Sequence, residues 1–313
     1  MKKEIQFELW KECNSRCKFC FQGTQNICTA TELKISACEK ALEKISDLSL
    51  YETHDVISYI GGEFFQGQLN TPEVKEAFMK LMEKSAWLLE NGYVRGVWIY
   101  ATMNLGEQKD LYETIDLFKK KDGLWILTSY DTIGRFHTPK MLETWENHMK
   151  TISEKYPEIK LNTTMIITQD LINKYLNNEI NFEEFMEKYH TQLFLKPCCK
   201  IDTVRTKEEV NKFLPNFFPR RMDFIKFLIK FKQNESQFMY DKLFNINMRA
   251  DELYRNYNDG TQMQLTVRHK DNYTETVVDR NDIKDCGHGG GYQGYIDSDG
   301  CVVCDKIMVD NMA

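Results

Sequence analysis

The 313-residue sequence lacks any apolar stretch of about 18 residues, so no segment of it reads as a membrane-spanning helix. Its opening, MKKEIQFELW, has two lysines but neither an apolar core run nor a small-residue cleavage site, which excludes a secretory signal. The two absences together make a cytoplasmic location the expectation. Basic charge is not in surplus either. With 41 Lys and Arg against 47 Asp and Glu, the net charge of −6 offers no global attraction to nucleic acid or to an anionic membrane. There is no internal repeat and no low-complexity linker. A hydrophobic content of 42% with 28% charged residues is that of a folded globular chain, and excludes disorder.

Cysteine, by contrast, is plentiful, with ten residues in a chain whose expected compartment keeps thiols reduced. They cluster: Cys13, Cys17 and Cys20; Cys198 and Cys199; Cys286, Cys301 and Cys304, with Cys28 and Cys38 apart. Clustering in a reducing compartment points to metal or iron–sulfur ligation rather than to disulfides. Cys38 has helical spacing from Leu42 and Ile45, so burial explains it.

Apolar or β-branched runs predict strands at 4–10, 55–60, 94–103, 124–130, 159–167 and 192–196. Helical spacing between them predicts helices at 31–48, 73–91, 107–121, 138–156 and 169–190, the last broken near Asn177-Asn178. Repeated βα units imply a parallel sheet with right-handed crossovers. Six units predict an open, partial (β/α)6 TIM-like barrel over residues 1–200. A helical segment follows at 201–260, then a small C-terminal cysteine module at 261–313 that reads as strand at 262–268 and 274–279. In that module Asp297-Ser298-Asp299-Gly300 reads as the turn of a β-hairpin. In parallel βα folds chemistry gathers where strands end and loops begin. The first cysteine cluster and Gly61-Gly62-Glu63 both fall at such ends.

Cys13-Asn-Ser-Arg-Cys17-Lys-Phe-Cys20 follows the first strand directly. Three thiolates on one loop can hold three irons of a cubane and leave the fourth open to a small molecule, unlike the four-cysteine ligation of ferredoxins. A zinc site short of one ligand and unrelated buried thiols are the alternatives. The C-x3-C-x2-C spacing, with Phe19 just before the third cysteine, resembles the signature of the radical S-adenosylmethionine (SAM) superfamily. That resemblance implies a [4Fe–4S] cluster on Cys13, Cys17 and Cys20, and SAM bound to its open iron. It also implies reductive cleavage of SAM to a 5′-deoxyadenosyl radical that abstracts hydrogen from a substrate. An external electron donor such as flavodoxin or ferredoxin would be needed.

Glycines allow close backbone approach and a carboxylate can receive an amine, so Gly61, Gly62 and Glu63 resemble the superfamily's GGE motif, which contacts the methionine amino group. Three further SAM contacts are implied by position. Asn104 ends strand three in Ala101-Thr102-Met103-Asn104, where relatives often have Thr-Asn-Gly. Ser129 ends strand four in Thr128-Ser129-Tyr130-Asp131, and Asn162 lies in strand five. The plainer reading of each is a polar residue capping a loop. Arg135 and His137 read as solvated loop residues.

Cys286, Cys301 and Cys304 bracket the C-terminal hairpin and resemble, in part, the opening half of the SPASM or Twitch extension of radical SAM maturases. The resemblance implies one auxiliary [4Fe–4S] cluster, with Cys198 or Cys199 as a possible fourth ligand. With His288 the same cysteines make a Cys3His set that suits zinc. The substrate class implied is a peptide or protein undergoing maturation. Because the sequence begins almost at strand one, a leader-binding domain is not expected within it.

Two other functions stay open at this point. Residues 219–232 mix aromatics with Arg220, Arg221, Lys226, Lys230 and Lys232, which would suit modification of a nucleotide, tRNA or DNA base. The plain reading is an amphipathic helix with Phe224, Phe227, Leu228 and Phe231 toward the core. A non-catalytic iron–sulfur or zinc protein, carrying electrons or sensing redox state, is the alternative of another class.

Overall fold

Ile5 and Phe7 alternate with Glu4, Gln6 and Glu8, the period-two pattern of a strand with unlike faces, and Lys3–Glu8 forms β1. The structure, a computed structural model, describes residues 3–15, 17, 29–197, 201–205, 223, 226, 227, 230, 231, 264–269, 274–279, 294–296, 302–304 and 307–309. After β1 come α1 (Thr31–Ser46), β2 (His54–Ile60), α2 (Pro72–Glu90), β3 (Gly96–Tyr100) and α3 (Lys109–Leu117). They are followed by β4 (Leu124–Tyr130), α4 (Pro139–Lys155), β5 (Lys160–Ile167), α5 (Gln169–Leu176), α6 (Phe182–Tyr189) and β6 (Thr191–Pro197). Each expected strand and helix of the first 197 residues is present, and the break near Asn177-Asn178 separates α5 from α6. Asn178 has a left-handed φ of 60° there.

Strands β1 to β6 stand side by side in sequence order, and every neighbouring pair is parallel. Right-handed crossovers that never reverse direction put all the helices on one face of the sheet. A doubly wound sheet would need a reversal to cover both faces. The order is therefore that of an open TIM-like βα sheet; the described pairings do not close it into a barrel. Helix starts follow local chemistry. Thr71 and Thr138 accept hydrogen bonds from Val74 N–H and Met141 N–H, each with proline next in line, while Thr168 and Asn181 cap α5 and α6.

The face toward the helices is apolar. Ile5, Phe7, Ile57, Tyr59, Val97, Ile99, Ile126, Leu161 and Leu193 share it through the strand registers and are buried in one core. Tyr59 reaches α2 by a 2.6 Å hydrogen bond to Ser85, and the Trp145 indole of α4 donates to Thr128 at 3.0 Å. The other face carries the polar Glu4, Gln6, Glu8, Ser58, Ser129, Asn162 and Thr164, again set by register, beside Val56, Ile60, Trp98, Tyr100, Trp125 and Leu127.

Beyond residue 200 the strands expected at 262–268 and 274–279 are present, and two others are additions, one at 201–205 where a helical segment was expected and one at 307–309. β7 (Ile201–Arg205) pairs in parallel with β8 (Gln264–His269), which pairs antiparallel with β9 (Thr274–Asp279). β10 (Gly294–Ile296) and β11 (Val302–Cys304) pair antiparallel, as the expected hairpin requires; the residues between them lie outside the described residues. β12 (Ile307–Val309) lies parallel to β1 on its outer side and extends the main sheet to seven strands. Residues 223, 226, 227, 230 and 231 are helical. Phe227 and Phe231 are buried against Tyr175 and Phe182, with ring centroids 5.0 Å (Tyr175–Phe227) and 5.9 Å (Phe182–Phe231) apart. Lys230 donates to the Tyr175 and Leu176 carbonyls at 2.8 and 2.9 Å, a cation on the C-terminal end of α5. These side chains serve the core and a helix end, as the amphipathic reading expects.

Candidate active site

The C-terminal ends of β1, β2, β3 and β4 converge on the segment that leads into the first cysteine cluster. Trp10 and Glu12 leave β1 and lie directly on the Gly61-Gly62-Glu63 loop. Gly62 N–H donates to Trp10 O and Glu63 N–H to Glu12 O, both at 2.9 Å, while the Trp10 indole donates to Glu63 O at 2.9 Å. A Cβ on Gly61 would stand 2.5 Å from Trp10 O, and one on Gly62 would stand 2.2 Å from Glu12 O and 2.4 Å from Lys11 O. Both glycines are thus required by the approach of the protein's own backbone. The close approach that the sequence reading assigned to a ligand is here made by residues 10–12.

Glu63 is 2% exposed and its two oxygens take four donors. Phe64 and Phe65 N–H reach Oε1 at 2.9 Å each; Thr102 N–H reaches Oε2 at 2.7 Å, and the Thr102 hydroxyl donates to the same oxygen. Burial pushes its carboxyl above the ordinary range, and the Thr102 hydroxyl with these N–H groups pulls it back part of the way. A carboxylate offers about four lone-pair sites, so the internal donors already match its capacity.

From Thr102 the network turns to the cysteine loop. Gln66 Nε2 donates to Thr102 Oγ1 at 2.5 Å and to Asn104 Oδ1 at 2.6 Å, and Ser15 Oγ donates to Asn104 Oδ1 at 3.2 Å. Asn14 donates to Gln66 O at 2.7 Å, and Ser15 N–H to the Cys13 sulfur at 3.4 Å. Amide hydrogen bonds to thiolate sulfur are among the levers by which proteins tune iron–sulfur sites. Met103, between Thr102 and Asn104, has a left-handed φ of 55° and is fully buried, a backbone cost held by the surrounding contacts.

Two more struts escaped the sequence reading. Lys34, in the first turn of α1, is buried, pairs with Glu12 at 3.0 Å and donates to Gln68 O at 3.1 Å, so it clamps the cysteine segment to the loop after β2. His137 Nε2 lies 3.1 Å from Ser15 O. Arg135, expected to be solvated, is instead buried with its Nε 3.8 Å from Asp131 Oδ2. Asp131 also accepts N–H bonds from Ile133, Gly134 and Arg135. No sequence signal marks these partners, because each contact joins residues far apart in the chain or depends on how a loop turns.

Of the expected site residues, Cys13, Cys17, Gly61, Gly62, Glu63 and Asn104 meet around this junction or its loop. Cys13 is half-buried and Cys17 buried. Ser129 and Asn162 stand on the polar sheet face. Asn162 is 3% exposed, and its Oδ1 has no hydrogen-bond partner among the described residues; the same holds for Gln6 Oε1 and Asn104 Nδ2. Buried polar atoms of this kind normally find a partner. Phe19, Cys20, Cys28, Cys198, Cys199, Cys286 and Cys301 lie outside the described residues. Cys304 ends β11 opposite Gly294. Cys38 is fully buried and burial pushes its thiol up to about 12, the inert thiol expected. No described helix is long and apolar enough to cross a membrane.

No family model matches the sequence. The chain is 24% identical over 178 residues to the "Putative peptide biosynthesis protein YydG" of Bacillus subtilis (strain 168), an alignment covering 57% of this chain and 50% of that protein. The chain thus spans half the length of the curated relative it matches, and it resembles a protein named for peptide biosynthesis.

Proposed function

We propose that the chain is a radical SAM enzyme that modifies a peptide. The observation that carries this reading is the docking of the Cys13 segment onto Gly61-Gly62-Glu63 through paired backbone hydrogen bonds. That docking gives the cysteine loop and the GGE loop one fixed relationship, which a cofactor bridging a cluster and a glycine loop requires and an isolated electron carrier does not. The donor chemistry fits. Two of the three motif thiols stand at the end of β1 and one accepts an amide N–H. Orphaned amide atoms on the adjoining sheet face await partners.

In this proposal Cys13, Cys17 and Cys20 would hold a [4Fe–4S] cluster, with Phe19 part of the same motif. SAM lies along Gly61, Gly62, Asn104, Ser129 and Asn162. When bound, the pair supplies a 5′-deoxyadenosyl radical, with the electron coming from a flavodoxin or ferredoxin. Glu63 acts through its neighbours, holding Thr102 and the Phe64–Phe65 backbone in place. Ser15, Gln66 and His137 hold the cysteine loop against the strand ends. Asn162 Oδ1 and Gln6 Oε1 accept hydrogen bonds from the ligand. Cys286, Cys301 and Cys304 hold an auxiliary [4Fe–4S] cluster, with zinc the competing occupant. The peptide class rests on the relative named for peptide biosynthesis.

The test is anaerobic reconstitution with iron and sulfide, then addition of SAM and dithionite. About four irons per chain at the N-terminal site and about eight with the auxiliary site are expected, with 5′-deoxyadenosine as product. Alanine at Cys13, Cys17 and Cys20 together should remove half of the iron and all of the product. Zinc in place of iron, or iron without deoxyadenosine, would sink the proposal.

A further inference from the structure

All three motif cysteines lie between Glu12 and Thr29, and those two residues are bonded to each other. Thr29 N–H donates to Glu12 Oε2 at 3.0 Å, and the Lys34 ammonium meets the same oxygen at 3.0 Å. Lys34 also donates to the Gln68 carbonyl at 3.1 Å and stands 5.7 Å from the centre of the Trp10 ring. On its backbone side Glu12 accepts Glu63 N–H. One residue, directly before Cys13, is therefore tied by its carbonyl to the loop after β2 and by its carboxylate to the far end of the cysteine stretch.

Local preference does not explain Lys34. It lies in the first turn of α1, where a cation opposes the helix dipole, and it is only 4% exposed. An ammonium leaves water at a cost that only bonded partners offset. The Glu12 carboxylate is such a partner. It also brings negative charge to the start of a helix that has no side-chain cap of its own. The pair is neutral as a whole, so it can fix the chain beside Cys13 without placing a net charge there.

Closing a flexible stretch of chain costs conformational entropy, whatever closes it. Were the cysteine stretch closed only by bonds from thiolates to a metal, that cost would weaken metal binding. The bond from Thr29 to Glu12 closes it within the fold instead, and Lys34 holds the accepting carboxylate in place.

We propose that Glu12 and Lys34 are positioning residues that close the cysteine stretch at its neck and so slow the loss of a cluster held on Cys13, Cys17 and Cys20. That the bound group is a cluster rests on the function proposed above; the closure does not.

The test uses the full chain. Hydrogen exchange of the Thr29 amide, followed by NMR in cluster-free protein, reports the closure. Release of iron to a chelator from anaerobically reconstituted protein reports its consequence. Glu12→Met combined with Lys34→Met removes both charges and leaves neither unpaired, so the urea midpoint should stay near that of the unsubstituted chain. Thr29 exchange should nevertheless rise about tenfold, equivalent to 1.4 kcal/mol and near the low end for a hydrogen bond to a charged group. Iron release should quicken by a similar factor. Glu12→Gln keeps an oxygen for Thr29 N–H and for Lys34, and should hold both rates within about threefold of the unsubstituted chain. That rescue separates positioning from general stability, which the urea midpoint reads. Equal iron release from the doubly substituted and unsubstituted chains would overturn the proposal. So would an unprotected Thr29 amide in the unsubstituted chain, a measurement that stands even where the doubly substituted chain fails to fold. A chain that binds no iron, or binds it without forming deoxyadenosine, would defeat the radical SAM reading, and Thr29 exchange would still decide the closure.

Discussion

The two faces of the main sheet are made of the same six consecutive strands and share one hydrogen-bond ladder, yet they differ in kind. Toward the helices stand Ile5, Phe7, Ile57, Tyr59, Val97 and Ile99, all fully buried, with few polar atoms and each of those paired. On the opposite face the same strands present Glu4, Gln6, Glu8, Ser58, Ser129 and Asn162, several of them buried. A parallel sheet covered by helices on both faces reads as near-continuous apolar sequence. Here β1 alternates, whereas β2, β3 and β4 also place Val56, Trp98, Trp125 and Leu127 on this second face. There Ser58 donates to Glu4, while Gln6 Oε1 and Asn162 Oδ1 have no partner among the described residues.

The contrast can be broken by substitution. Phe7→Ala removes a fully buried ring that stacks on Tyr59 at 5.7 Å, and should cost about 4 kcal/mol in urea unfolding. At the strand ends, Gly62→Ala forces a methyl into two backbone carbonyls and should cost about 3 kcal/mol. It should also lower the iron retained after anaerobic reconstitution, because the segment before Cys13 must move. Asn162→Leu makes the sharper comparison. It replaces an amide whose Oδ1 has no partner by an apolar group of similar volume, so unfolding stability should change by less than about 1 kcal/mol. Deoxyadenosine yield should nevertheless fall about tenfold, equivalent to 1.4 kcal/mol of lost binding. If Asn162→Leu unfolds the chain as readily as Phe7→Ala, the polar face is structural and the distinction fails.

Much of the apolar face was legible in the sequence, because period-two and period-3.6 patterns record which side of an element is buried. The polar face left a trace as well, in the KEIQFE alternation of β1. The candidate site was legible only as motifs. Cys13 and Gly61-Gly62-Glu63 could be picked out, but their relationship could not. Gly61 and Gly62 are glycine because Trp10, Lys11 and Glu12 pass over them, and Glu63 is saturated by Thr102 and its own following backbone. Lys34, Gln66 and His137 escaped for the same reason, since each is an ordinary polar residue until a distant loop arrives beside it. β12 could not have been assigned to β1 either, because nothing local in Ile307–Val309 specifies a partner some three hundred residues away.

The smallest expected effect separates the same two regions by reactivity. Cys38 sits in α1 on the apolar side, where burial, with a lesser push from the Glu39 charge, raises its thiol from 9.0 to about 12. Thiolate is the reactive form, so Cys38 should stay unlabelled by iodoacetamide in the native chain at pH 8 and react once urea unfolds it. Cys13, half-buried at the loop, should label first in cluster-free protein, as peptide mass mapping would show. The sign of the linked stability follows. A pKa raised on folding stabilises the native state fully below pH 9, and that contribution drains away as pH climbs from 9 through about 12. Cys38→Ala should therefore flatten the first part of the alkaline decline, between pH 9 and 10, before the buried tyrosines begin to titrate. Labelling of native Cys38 at the rate of Cys13 would mean that α1 opens readily, and that the helix-covered face is no more closed than the face left for ligand.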